Sequence, residues 1–245
     1  MTDRSDLSVS GDDSPQSQLG TAEFWGKNYE IELENYETYK DPGEVWFGSS
    51  LKSKIVHWIM NNVSDKSKPI LDIGCGNGHM LVQLNKHGNF SNLIGIDYVQ
   101  SSIELSQKIF LDESIPPDEL KLFVVDFLKS NSSSNQDVSP SHLFWDTYKG
   151  KIHLAMDKGT FDAICLNPNM SVESSRKKYI QALINLLAPN GMFLIASCNW
   201  TRDELLKFFE HSGPFKLHDS IDTPCIQFGG KVGNNVTCFI FKIGG

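Results

Sequence analysis

Apolar side chains first recur at helical spacing in "SLKSKIVHWIMNNV", where Leu51, Ile55, Trp58 and Ile59 fall on one face and predict an amphipathic helix. From there short apolar runs alternate with helical periods. "KPILDIG" (68–74) reads as a strand, "HMLVQLNKHG" as a helix stopped by Gly88, and "NLIGID" (92–97) as a second strand. Ser101 and Glu104 have the spacing of a capping box for the next helix. "KLFVVDF" (121–127) and "KIHLAMD" (151–157) are the third and fourth strands. Over 174–188, Tyr179, Leu183, Leu186 and Leu187 share a helical face; Pro189 and Gly191 end that helix, and "MFLIAS" (192–197) is the fifth strand. Thr201 and Glu204 cap a short helix through "DELLKFF", and "FKLHDSI" and "NVTCFIFKI" close the chain as strands.

Strands alternating with helices predict an α/β fold with a doubly wound, mostly parallel seven-stranded sheet. The closing strands have no long helix between them, which predicts an antiparallel edge. Residues 1–20 are rich in Ser, Asp and Gln and read as a disordered tail. The remainder, 21–245, reads as one domain, interrupted by a polar, flexible insertion at 129–142. An aromatic segment with Phe24, Trp25, Tyr29, Tyr36, Tyr39, Trp46 and Phe47 precedes the first periodic helix; Tyr36 and Tyr39 are assigned to core packing.

Composition narrows the function. The formal net charge of −8 is the wrong sign for wholesale binding to nucleic acid, and the "RKK" cluster at 176–178 reads as a solvated helix face. No apolar run approaches the roughly 20 residues needed to cross a membrane, and the N-terminus lacks a signal-peptide core. The five cysteines (75, 165, 198, 225 and 238) form no CxxC pair, so a reduced cytoplasmic protein without a metal site is expected. With no heptad pattern, a monomer is the default.

The chemistry starts at "LDIGCGNGH" (71–79). A dinucleotide loop would need a third glycine where His79 stands. A phosphate loop would need Gly-Lys-Ser/Thr at 79–81, which is His-Met-Leu here. What remains is an acid, Asp72, two residues before Gly74 and Gly76 at a strand end. This resembles the cofactor loop of class I, Rossmann-like methyltransferases, which bind S-adenosylmethionine. An ammonium on that cofactor's amino-acid tail would favour Asp72. Asp97 at the end of strand two would accept the ribose hydroxyls, with Tyr98 against the adenine. Asp126 and Phe127, at the end of strand three, would meet the adenine amino group and ring.

A narrower resemblance rests on "FWGKNYEIELENY", "GEVWFG" (43–48), "MDKGTFDA" (156–163) and "SCNWT" (197–201). Together they are similar to the protein-lysine methyltransferases that modify translation elongation factor 1-alpha. The resemblance runs from about Phe24 to the C-terminus, and the 129–142 insertion departs from it. It implies that Trp25, Tyr29 and Trp46 form aromatic lids over the cofactor or the target lysine. Asp157, Lys158 and Gly159 would lie beside the methyl group, with Asp157 orienting the amine. Trp46 or Trp200 would hold the methylated product by cation–π contact. The implied partner is a protein, not nucleic acid or a membrane. Two rivals stay open: an N-methyltransferase of nucleic acid or a small molecule, for which "NPNM" (167–170) is an incomplete motif, and a non-catalytic binding protein of the same fold.

Overall fold

The computed structural model describes residues 17–129, 140–211, 213–223, 225–228, 231–234 and 236–244. The chain opens with a turn of 3-10 helix at Gln18–Gly20, then α1 (Ala22–Tyr39), whose first turn is capped by the Thr21 hydroxyl accepting from Phe24 N–H. Next come α2 (Gly48–Asn62), β1 (Ile70–Ile73), α3 (His79–Gly88), β2 (Leu93–Asp97), α4 (Gln100–Asp112) and β3 (Leu120–Val124). They are followed by α5 (Pro140–Tyr148), β4 (Ile152–Lys158), α6 (Thr160–Cys165), α7 (Val172–Leu186) and β5 (Leu187–Ser197). The chain finishes with α8 (Arg202–Glu210), β6 (Phe215–Ser220), a β7 (Cys225–Phe228) and β8 (Lys231–Asn234) hairpin, and β9 (Thr237–Ile243).

The main sheet has seven strands in the order β3-β2-β1-β4-β5-β9-β6. β3 through β5 are parallel; β9 runs antiparallel between β5 and β6. Strand order reverses between β1 and β4, and a crevice opens there at the carboxyl ends of the strands. The pleat sends alternate side chains to opposite faces. Along β5, Met192, Leu194 and Ala196 join the layer built with α2 and α3, while Phe193 and Ile195 join the aromatic layer of Phe161, Tyr179 and Phe209. β9 repeats this with Cys238 and Ile240 on one side and Phe239 and Phe241 on the other.

Several local expectations change. The capping box at Ser101 does not form: α4 begins at Gln100, and Val99 N–H bonds Asp97 Oδ1 at 3.0 Å instead. The box at Thr201 and Glu204 does form. The third strand stops at Val124, leaving Asp126 and Phe127 in the following connection. α3 ends through Asn89, which takes the left-handed conformation after Gly88. Tyr36 is core, donating to Asp112 Oδ2 at 2.7 Å, but Tyr39 is 77% exposed. Of the tail, Gln18–Gly20 form the helical turn after an extended Ser17, and 1–16 lie outside the described residues. Of the insertion, 130–139 lie outside them, and Pro140 already begins α5. The β7–β8 hairpin and the helical character of α1 had no counterpart in the periodicity.

Candidate active site

The glycine loop between β1 and α3 is held from three directions. The Gly76 peptide donates its N–H to Asp97 Oδ2 at 3.1 Å and accepts at its carbonyl from Ser102 Oγ at 2.9 Å and Ser106 Oγ at 2.7 Å. Both serines are wholly buried on α4. Gly76 has φ +55, and a Cβ there would overlap the Tyr29 hydroxyl reaching in from α1. A Cβ at Gly74 would overlap the Thr160 side chain, whose hydroxyl donates to the Ile73 carbonyl at 2.8 Å. So α1, α4 and the β4–α6 connection all seat one loop. Sequence reasoning missed Ser102 and Ser106; their signal is a polar pair at i, i+4 on a helix face that is otherwise apolar.

Around this loop lies an open cleft. Of the residues expected at the site, Trp25, Tyr29, Trp46, Asp72, Gly74, Gly76, Asp97, Tyr98 and Lys158 line it. Four expected residues do not. Phe127 is 5% exposed and packs in the aromatic layer, 5.0 Å from the Tyr179 ring and 5.8 Å from Trp145, because the strand ends before it and turns it inward. Asp126 lies in the same connection, where it accepts Leu128 N–H and pairs with Lys129. Trp200 packs on Phe208 at 4.9 Å. Asp157 is 0% exposed: Oδ1 accepts Thr160 N–H at 2.9 Å, and Oδ2 accepts Phe161 N–H at 3.0 Å and the Tyr179 hydroxyl at 2.6 Å. It fastens the start of α6 to the core, and its expected contact with the amine is corrected on that ground.

The carboxylate that does face the cleft in "MDKGTFDA" is Asp162, in the first turn of α6. It accepts Ser197 Oγ at 2.5 Å and Cys198 N–H at 2.8 Å, which ties α6 to the end of β5. Burial raises its pKa, and these donors oppose the rise. Lys52, His79, Asn199 and Leu19 also line the cleft without having been singled out. Leu19 belongs to the opening turn, and its carbonyl accepts Trp25 Nε1 at 2.7 Å. Trp25 in turn meets Trp46 edge-on at 5.0 Å, forming an aromatic wall across the cleft.

Charge is arranged unevenly in this space. Asp72 is 3% exposed and accepts no hydrogen bond among the described residues; burial pushes its pKa up to about 7, against the pull of Lys158. Asp97 is also raised by burial, offset by its bonds to Val99 and Gly76. Burial lowers the Lys158 pKa, and its ammonium donates to the Trp46 carbonyl at 3.2 Å. A buried carboxylate without a donor, close to a buried ammonium without a carboxylate, suits a zwitterion. An α-amino acid tail is one. Asp97 at the end of β2 and the 43% exposed ring of Tyr98 beside it suit a nucleoside. The residues therefore fit S-adenosylmethionine.

Comparison with known proteins agrees. The model for a methyltransferase domain matches residues 64–223. The chain is 41% identical to human EEF1A lysine methyltransferase 2 over 98% of this chain and 93% of that protein. It is 32% identical to a protein-lysine N-methyltransferase of Schizosaccharomyces pombe over 94% of this chain and 95% of that one. Among solved structures, a methyltransferase from Clostridium acetobutylicum superposes with a TM-score of 0.57 at 14% identity, covering 89% of this chain and 99% of that one. Magnesium protoporphyrin IX methyltransferase from Synechocystis, at 10% identity, gives 0.56 over 88% and 96%. These two establish the fold alone. On its near full-length similarity to the curated enzymes, the chain belongs to the family of protein-lysine methyltransferases with the class I methyltransferase fold.

Proposed function

We propose that this protein transfers a methyl group from S-adenosylmethionine to a lysine side chain of translation elongation factor 1-alpha. The observation that carries the reading is the 41% identity, spanning 98% of the chain, to an enzyme named for that substrate. Bound in the cleft, the cofactor supplies an electrophilic methyl carbon on a sulfonium. Asp72 would take the ammonium of its tail, Asp97 would accept its ribose hydroxyls, and Tyr98 would lie against the base.

The protein's own work is orientation, desolvation and handling one proton. A lysine amine attacks only after losing a proton, and its ordinary pKa is about 10.4. Withdrawal from water behind Trp25 and Trp46 lowers that value. Asp162 lines the cleft with Oδ1 on Ser197 Oγ and Oδ2 on Cys198 N–H, and a remaining lone pair accepts a hydrogen bond from the incoming amine. The Trp46 ring offers a cation–π surface to the methylated product. Asp157 positions Asp162 by anchoring the α6 start. Holding the amine in line with the methyl carbon is worth up to roughly 7–11 kcal/mol.

We propose further that it works in the cytoplasm, as a monomer, on a protein rather than on nucleic acid. The net charge of −8 supports a basic protein surface as partner. The test is to incubate the purified protein and elongation factor 1-alpha with S-adenosylmethionine and map the product by mass spectrometry. A methylated lysine that disappears with Asp162→Asn supports the reading. Methylation of RNA alone would overturn it.

A further inference from the structure

Two lysines line the cleft; Lys158 feels Asp72 and Asp157 at a distance without pairing with either. Lys52 stands on α2 and Lys158 at the end of β4, and among the described residues neither forms an ion pair. Lys52 Nζ lies 2.7 Å from His79 Nε2 instead. An ammonium can only donate, so His79 accepts at Nε2 and carries its proton on Nδ1. Burial, then Lys52 and Lys158, depress the pKa of His79, with Glu113 acting weakly the other way; the ring stays neutral. His79 is also the first residue of α3, where the N-cap Gly78 offers no side chain and Asn77 Oδ1 accepts His79 N–H at 3.3 Å. That terminus adds partial positive charge at the same end of the cleft. In a protein of net charge −8, two lysines are thus set side by side in a cleft that Asp72, Asp97 and Asp162 also line. Glu44 borders the cleft but pairs with neither lysine.

The geometry points to Lys52, seated on His79, as the group that receives the carboxylate of the cofactor's amino-acid tail, with Lys158 adding a second charge. This rests on the S-adenosylmethionine reading of the cleft. Asp72 and the two lysines then divide the zwitterion between them, carboxylate to ammonium at each end. The consequence is selectivity. An adenosyl sulfonium that keeps the methyl group but lacks the carboxylate is rejected before any methyl transfer occurs.

Calorimetric titration of S-adenosylmethionine and of decarboxylated S-adenosylmethionine tests this without turnover. The wild-type protein is expected to bind the intact cofactor at least about ten-fold more tightly, the scale of one charge-assisted contact. Lys52→Met should weaken the intact cofactor by a similar factor and leave the decarboxylated one within about two-fold, abolishing the difference. Lys52→Arg should restore part of it, and His79→Leu, which removes the seat, should act in the same direction as Lys52→Met. Melting temperatures of the free variants check that each is folded. Equal binding of both ligands by the wild type, or equal loss of both in Lys52→Met, overturns the subsite alone. Failure of the wild type to bind either overturns the cofactor reading and the subsite with it.

Discussion

The Tyr179 hydroxyl donates a 2.6 Å hydrogen bond to Asp157 Oδ2 beneath the active site, joining α7 to the end of β4. With both Asp157 oxygens occupied in a dry core, removing the carboxylate strands the N–H groups of Thr160 and Phe161. Asp157→Ala is expected to destabilise the protein by on the order of 3 kcal/mol, and Tyr179→Phe by about 1–2 kcal/mol. Urea unfolding measures both. A variant of wild-type stability with no turnover would return Asp157 to a direct catalytic role.

Asp162→Asn keeps the side-chain shape and an oxygen to accept Cys198 N–H, its NH2 can donate to Ser197 Oγ in place of the bond it received, and the negative charge facing the cleft is removed. Turnover should fall by about 10²-fold, the low end for loss of a group that handles a proton. Cofactor affinity should stay within a factor of about two, because Asp72 and Asp97 hold that ligand. Steady-state kinetics with a parallel binding titration separates the two effects.

Gly76→Ala places a methyl group on the Tyr29 hydroxyl and forces a side chain onto a left-handed backbone with φ +55. The loop must shift, and Asp97 and both serines lose their grip on its peptide. Cofactor binding should weaken by at least about ten-fold. Adding Tyr29→Phe to Gly76→Ala relieves the overlap but not the backbone penalty of about 1 kcal/mol, so binding should recover in part. Full recovery would mean that the backbone conformation carries no cost.

The raised pKa of Asp72, about 7 against an ordinary 3.8, sets a pH dependence. The folded protein binds a proton there that the unfolded chain has lost between those values. Its contribution to the stability of the ligand-free protein is complete below pH 4 and is lost as pH rises toward 7. Asp157, raised by burial to the same level, acts in the same sense. A cationic ligand group requires Asp72 ionised, so S-adenosylmethionine should raise the melting temperature more at pH 8 than at pH 6. Asp72→Asn should flatten that difference. Thermal melts with and without cofactor over this range check it.

Periodicity made the sheet legible, because buried parallel strands and amphipathic helices must carry their apolar residues at set intervals. Asp72, Asp97 and the glycines were legible for a related reason. A loop leaving a strand end can aim in few directions, so an acid or a glycine there implies a ligand edge. α1 was harder to read, since its apolar face is made of aromatic residues spread among acids, and only its packing on α4 and the glycine loop orders it.

The sequence by itself determined the strand–helix alternation through short-range spacing, and its motifs carried the resemblance that implied the class of cofactor and the kinship with lysine methyltransferases. Only the tertiary structure decided which acid of "MDKGTFDA" meets the cleft, because the turn into α6 ties Asp157 into the core and leaves Asp162 on the cleft lining. It also decided that Lys52 rests on His79 and that Tyr29 explains Gly76. Those pairs lie far apart in the chain, and no local pattern records a contact that forms only when separate elements pack.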